Sequence, residues 1–255
     1  MKHRNYWKKL AFFVAVLLLV LTVLYGGLRF LEATVLRPGL QSDRETVSRT
    51  VVKDGIEYYP RRDITVILML GIGADSAEQE QLEAIELLIF DEKNASWSTL
   101  QLSCDTVLDM HVPDEEGMGT DVIRDRLALS YTYGDDPEKR CHNTRRAVSD
   151  FLNGITIDYY IAAGVDLIDR LRDASADAAF DLLSEAYSAA ADLVTDCPVH
   201  TLISMGTRYQ DYQFASTHMP VGEGTADGEN IGFHADRDKL DELVIELFYA
   251  PKPGQ

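Results

Sequence analysis

Five arginines, Arg124, Arg126, Arg140, Arg145 and Arg146, form the densest basic group outside the N-terminus. The guanidinium is a planar fork that matches the oxygens of a multiply charged anion, so such a group can grip one. The competing reading pairs these arginines with Asp121, Asp125, Asp135, Asp136 and Glu138 on exposed helix faces. Three cysteines, Cys104, Cys141 and Cys197, suit one disulfide and one free thiol, and their spacing fits no zinc pattern. Cys104 as a nucleophile would need a base such as His111 or His142, and nothing in the sequence fixes either beside it. Tyr131, Tyr133, Tyr159 and Tyr160 suit either a ligand-lining role or ordinary core packing. Neither a phosphate-cradling glycine loop nor a Gly-x-Ser-x-Gly elbow occurs.

The elements that must position these groups alternate between two periods. Ile64–Gly71 is an apolar run of strand length. Glu83–Phe90 and Trp97–Cys104 are two more strands, joined by the polar turn Asp91–Ser96. Asp121–Tyr133 and Pro137–Asn153 read as helices, the second burying Ala147, Val148, Phe151 and Leu152 and closed by Asn153-Gly154. Ile155–Ala162 alternates like a strand, and Val165–Val194 is helical by composition. Ser204–Phe214 leads into a short polar strand, Gly222–Gly232 reads as a loop, and Asp236–Tyr249 as an amphipathic terminal helix. The expected fold is α/β, a mixed central sheet flanked by helices in an α-β-α sandwich.

Charge divides the chain in two. The 255 residues carry 24 Lys and Arg against 42 Asp and Glu, a net charge of −18. Residues 1–30 hold five of the basic residues and no acid, which leaves −23 on the remainder. A hydrophobic content of 46% excludes intrinsic disorder, three cysteines exclude a disulfide scaffold, and the acidity argues against nucleic acid as a partner. Leu10–Leu28 has no charged residue, and a helix of that length nearly crosses a hydrocarbon core of about 30 Å. Four Lys and Arg precede it, so the N-terminus should stay in the cytoplasm with the acidic bulk outside. The expected organisation is a basic cytoplasmic tail at 1–9, a single-pass transmembrane anchor at 10–29, an extracytoplasmic stalk at 30–60, a domain at 61–192 and a C-terminal extension at 193–255.

At Ile64–Thr106 the order of elements becomes specific. ITVILMLGIG, an acidic loop, and QLEAIELLIFDEKNASWSTLQLSCDT resemble the opening of the LytR–CpsA–Psr (LCP) family. Members of that family show a strand ending LLGID, a segment like RSDTIMLV, a hairpin, and a strand ending IPRDT. Downstream, RLALSYTYGDDPEKRCHNTRRAVSDFLNGITIDYYIA is similar to the family's AYAYGG and IDYY segments, and the terminal helix to that of its longer members. The resemblance covers roughly residues 60–250.

This resemblance implies transfer of a glycopolymer from a polyprenyl-pyrophosphate carrier to peptidoglycan, outside a membrane. It implies a divalent cation, Mg²⁺ or Mn²⁺, held by Asp75 and Glu83, with Asp105 in the site and Arg126 beside it as catalytic groups. Arg124, Arg145 and Arg146, taken from the basic group above as a replacement grip, and Tyr131 are the candidate substrate-binding residues, and the resemblance implies an apolar tunnel for the lipid. Several positions depart from the family pattern. Gly73 stands where LLGID has its Asp, Gln81 where RSDT has its Arg, and Cys104 where the PRDT motif has its Arg. After the IDYY strand the family has an Arg-x-Arg segment; in VDLIDRLRDASADAAFDLLSEAYSAAADLV only Arg170 and Arg172 have that spacing, and on a helix they would point to different faces. The alternative is therefore a catalytically silent paralogue that binds envelope lipid, polymer or a partner protein. An old label of the family, transcriptional attenuation, would have to act indirectly, given the acidity and outward topology.

Overall fold

The computed structural model describes residues 50–74, 80–113, 120–173, 193–209, 211–227 and 230–252. The expected anchor, its basic tail, Asp75 and residues 174–192 lie outside them. Among the described residues no helix is long and apolar enough to cross a membrane.

The chain order opens with β1 (Val51–Lys53) and β2 (Ile56–Pro60). Asp54 and Gly55 join them, both at positive φ, which gives a two-residue turn of the hand that suits twisted strands. Next come β3 (Ile64–Ala74), β4 (Glu80–Asp91) and β5 (Ser96–Leu102), then β6 (Val107–Pro113) and β7 (Thr120–Arg126), which runs into a 3₁₀ turn at Leu127–Thr132. Helix α1 (Pro137–Phe151) leads to β8 (Tyr159–Gly164), α2 (Val165–Asp173), β9 (Val194–Thr195) and α3 (Val199–Tyr209). The chain closes with β10 (Gln213–His218), β11 (Gly222–Asp227), β12 (Asn230–Ala235), α4 (Arg237–Phe248) and β13 (Tyr249–Pro251).

Among the described residues the central sheet has six strands in the order β10-β5-β4-β3-β8-β9. It is mixed: β3 runs parallel to β8 and β10 to β5, while β3–β4, β4–β5 and β8–β9 are antiparallel. Alternation along β3 sorts its side chains onto two faces. Val66, Leu68 and Leu70 face a large core built with Val148 and Phe151 of α1 and Val244 and Phe248 of α4. Ile67 and Met69 face the other side, toward Ile168 and Leu171 of α2 and Met205 of α3. Each such wholly buried side chain is worth about 1.5–3 kcal/mol. The mixed sheet with helices on both faces agrees with the expected fold class.

Local chemistry sets the helix ends. Asp136 caps α1 by accepting from the Lys139 amide at 2.8 Å, with Pro137 at the first turn. Asn153 and Gly154, both at positive φ, end it as the sequence suggests. Asp158 precedes β8 and clamps β3 through two bonds, its carboxylate accepting from Val66 N and its own amide donating to Val66 O, each at 2.9 Å.

Four expectations need correction. Asp121–Tyr133 is not a helix: residues through Arg126 form β7, paired with β6, and only a 3₁₀ turn follows. Burying Leu108, Met110 and Val112 of β6 in the main core, beside α1 and the 3₁₀ turn, gives that ribbon its apolar face, which outweighs the local helical preference. Gly222–Gly232 is not a loop but most of the β11–β12 ribbon, docked where Thr106 bridges to Phe233. Gly222 is required there, since a Cβ would fall 2.2 Å from the His234 carbonyl oxygen. Residues 51–60, assigned to the stalk, form β1 and β2, which pair with each other, with β2 also pairing with β13, and Val51 and Tyr58 pack on the main core. Finally, all three cysteines are free thiols, so the expected disulfide is absent.

Candidate functional site

One end of the central sheet gathers most of the expected chemistry. There β3 finishes, β4 begins, and the chain leaves β5 through Ser103–Thr106. The turn after β5 is held from three directions. Thr106 Oγ1 donates to Ser103 O at 2.7 Å, the Leu127 amide to Thr106 O at 2.7 Å, and the Ala128 amide to Cys104 O at 2.9 Å. The Phe233 amide of β12 donates to Asp105 O at 2.9 Å. These bonds set Arg126, the last residue of β7, next to Asp105, and its Nη1 donates to Asp105 Oδ1 at 3.4 Å. Both side chains are close to half-exposed, so the pair contributes at most about 1 kcal/mol and stays open to exchange.

Glu83 reaches the same end by a backbone irregularity. Gly71 pairs with Ala84 and Ile72 with Leu82, leaving Glu83 as the extra residue of a β-bulge. Its carboxylate lies over Gly73: a Cβ added at that glycine would stand 1.8 Å from Glu83 Oε1. A carboxylate from β4 therefore fills the space above the position where the family pattern has an Asp. Burial pushes the Cys104 thiol up to about 11, and the charges of Asp105 and Glu83 add to the rise. That thiol is protonated near neutral pH and makes a poor nucleophile.

Tyr131 sits in the 3₁₀ turn, 2% exposed. Burial pushes its hydroxyl up to about 12, with Cys141 and Glu80 adding to the rise and Arg140 opposing it. The turn is tied to α1 by Ser130 Oγ donating to Thr144 Oγ1 at 3.0 Å. Arg140 lies above the Tyr131 ring, 5.8 Å from its centroid, and its Nη1 donates to Glu80 Oε2 at 2.7 Å.

The expected basic group does not act as one grip. Arg124 donates to Asp109 at 3.2 Å across the β6–β7 ribbon. Arg145 donates to Asp196 Oδ2 at 2.7 Å, with side chains only 15% and 11% exposed, while Asp196 Oδ1 accepts from the Tyr160 amide. Arg146 stands 3.9 Å from Asp150 one turn along α1. Arginines do pair with acids, but mostly with partners distant in sequence rather than with the neighbours that local spacing suggests. Lys139 instead takes Asp135 and Asp136. The structure thus places Glu83, Asp105, Arg126 and Tyr131 at the sheet end and commits Arg124, Arg145 and Arg146 elsewhere. Arg140 and Glu80 join the site although neither is among the residues the family pattern implies. Their pairing spans β4 and α1, and no local spacing announces it.

Among the described residues no group of three or more His, Cys, Asp or Glu stands ready to hold a metal ion. Glu83 and Asp105 are the described carboxylates of the expected set, and Asp75 lies outside the described residues.

No family model matches the chain, and no curated protein matches it in sequence. Solved structures do match in fold. One is described as TagT bound to LIIa-WTA, at TM-score 0.52 and 16% identity, covering 79% of this chain and 94% of that one. TagV of B. subtilis aligns at TM-score 0.52 and 15% identity, over 73% of this chain and 96% of that one. A third, the LytR-CPS2A-psr family protein YwtF (TagT) with bound octaprenyl pyrophosphate lipid, aligns at TM-score 0.51 and 17% identity, over 79% and 93%. The chain has an LCP-like fold.

Proposed function

We propose that this chain is a membrane-anchored, extracytoplasmic LCP-type phosphotransferase of the cell envelope. Its substrate would be a glycopolymer on a polyprenyl pyrophosphate, and its acceptor peptidoglycan. The observation that carries the reading is the Asp105–Arg126 pair at the sheet end of an LCP-like fold. The solved neighbours described with LIIa-WTA and with octaprenyl pyrophosphate lipid support the ligand class.

In the reaction, an acceptor hydroxyl oxygen bonds to the phosphorus that carries the glycopolymer. The bond from that phosphorus to the oxygen of polyprenyl phosphate breaks. Asp105 takes the hydroxyl proton, and Arg126 balances the charge that develops on the departing phosphate. Glu83, with Asp75 and with Asp105 in support, would hold Mg²⁺ or Mn²⁺, hard cations suited to carboxylate oxygens. The bound cation would supply charge neutralisation at the pyrophosphate. The apolar Leu10–Leu28 segment supports a single-pass anchor at 10–29, with the N-terminus cytoplasmic.

The second reading, a silent paralogue, is favoured by Cys104 at the place of the motif's arginine. The full chain in detergent, given a polyprenyl-pyrophosphate-linked saccharide, Mg²⁺ and a peptidoglycan fragment, separates the two. Release of polyprenyl phosphate, reduced about 100-fold by Asp105→Asn, is the outcome expected of a catalytic acid–base group. Binding of the lipid without release would leave the silent paralogue standing.

A further inference from the structure

Arg145 lies over a ring, that of Tyr160, at 5.6 Å, but within the group of five Arg140 is the one that combines an aromatic face with a bond to a backbone carbonyl. Arg140 Nε donates to the Gly134 carbonyl at 3.2 Å, and its guanidinium lies above the Tyr131 ring. A backbone acceptor and an aromatic face thus fix the fork before any ligand arrives, which lowers the entropy lost on binding. Its outward-facing Nη1 meets one carboxylate, Glu80, at 2.7 Å, with side chains 30% and 50% exposed. By contrast, Arg145 is sealed against Asp196, and Arg124 and Arg146 lie on exposed pairs away from the sheet end.

We propose that Arg140 grips the diphosphate group of the ligand, and that Glu80 occupies its fork in the free chain as a carboxylate the diphosphate displaces. The assignment rests on the reading that the ligand carries a pyrophosphate, and it names the residue that compensates for the missing arginines. Glu80 offers a single negative charge on a flexible, half-exposed arm. A diphosphate offers more charge and several oxygens, two of which the planar guanidinium fork can engage at once, so it wins the exchange on charge-assisted hydrogen bonding. Glu80 then returns to water at little cost, because it is already half solvated.

The test uses the full chain in detergent with Mg²⁺ and two probes, geranylgeranyl pyrophosphate and inorganic pyrophosphate. Glu80→Gln should bind both probes about fivefold to tenfold more tightly than the parent, because the competing charge is gone. Arg140→Ala and Arg140→Lys should each lose about tenfold or more, lysine keeping the charge but not the fork. The double variant Glu80→Gln/Arg140→Ala should bind no better than Arg140→Ala, since Glu80 acts only through Arg140. Lys53→Gln, remote from the sheet end, serves as the unchanged control, and thermal melts confirm that each variant is folded. Unchanged affinity in Glu80→Gln, or parental affinity in Arg140→Lys, overturns the assignment while lipid binding by the parent keeps the broader reading alive. If only inorganic pyrophosphate responds, Arg140 remains an anion grip and the lipid substrate is wrong. If no variant binds either probe, both fall.

Discussion

The Glu83 carboxylate occupies the space directly above Gly73, with Oε1 1.8 Å from where a Cβ on that glycine would stand. Two strands thus share one position: β3 contributes no side chain there, and the bulge in β4 contributes the charge.

Gly73→Ala follows from this relationship. The obstructing atoms are the far end of an exposed side chain, so Glu83 swings away and stability changes by less than about 1 kcal/mol. Divalent-cation binding, read as the rise in melting temperature with added Mg²⁺, should weaken in Gly73→Ala and vanish in Glu83→Gln. An undiminished rise in both variants would remove Glu83 from the cation site.

Arg145→Met should be far more damaging than Arg146→Ala. Removing Arg145 leaves Asp196 nearly buried without its cation, at a cost of about 3 kcal/mol. Arg146 pairs at 3.9 Å on an exposed face, and its loss should stay within about 0.5 kcal/mol. Urea midpoints of the two variants decide the matter. Equal and small effects would return Arg145 to the list of available ligand-binding residues.

Alkaline pH should erode stability through the thiols. Burial holds Cys104 up to about 11, and Cys141 and Cys197 up to about 12, against an unfolded value near 9. Below pH 9 the thiols are neutral in both states, so their contribution is intact. As pH rises through about 9 to 12, the unfolded thiols ionise first and each costs about 1.4 kcal/mol per pH unit. Denaturant midpoints should fall across that window, and alkylation of the native chain by iodoacetamide should stay slow until its upper end. Fast alkylation at pH 8 would show that the thiols are not held neutral.

Thr144→Val should loosen the turn that carries Tyr131. The hydroxyl of Thr144 donates to Arg140 O and accepts from Ser130 Oγ in a buried setting, and its loss costs about 1–2 kcal/mol. Amide exchange at Leu127–Thr132 should quicken more than exchange in β3. Uniform quickening across the sheet would instead point to a global effect.

Elements whose partners are near in sequence, or whose patterns are strong, are legible in the order of amino acids. The apolar run of Ile64–Gly71, the Asp91–Ser96 turn, α1 with its Asn153-Gly154 close, and α4 all form where expected, because each signal is local. Asp121–Tyr133 and Gly222–Gly232 are not legible in the same way, since their strands are stabilised by pairing with β6 and by docking on Thr106. The docking joins residues far apart in the chain, and local propensity carries no trace of either contact.

The same division holds for the candidate site. The amino-acid order alone determined that carboxylates and arginines of a given spacing accompany an apolar segment and an alternating α/β pattern. Its resemblance to the LCP motifs also singled out Asp105 and Glu83. Only the tertiary structure decided which charges meet. Arg126 reaches Asp105 because β7 ends beside the turn after β5, Arg145 is spent on Asp196, and Arg140 meets Glu80 across 60 residues. Charge pairing depends on distance in space, and a fold of long-range strand partners sets that distance independently of spacing along the chain.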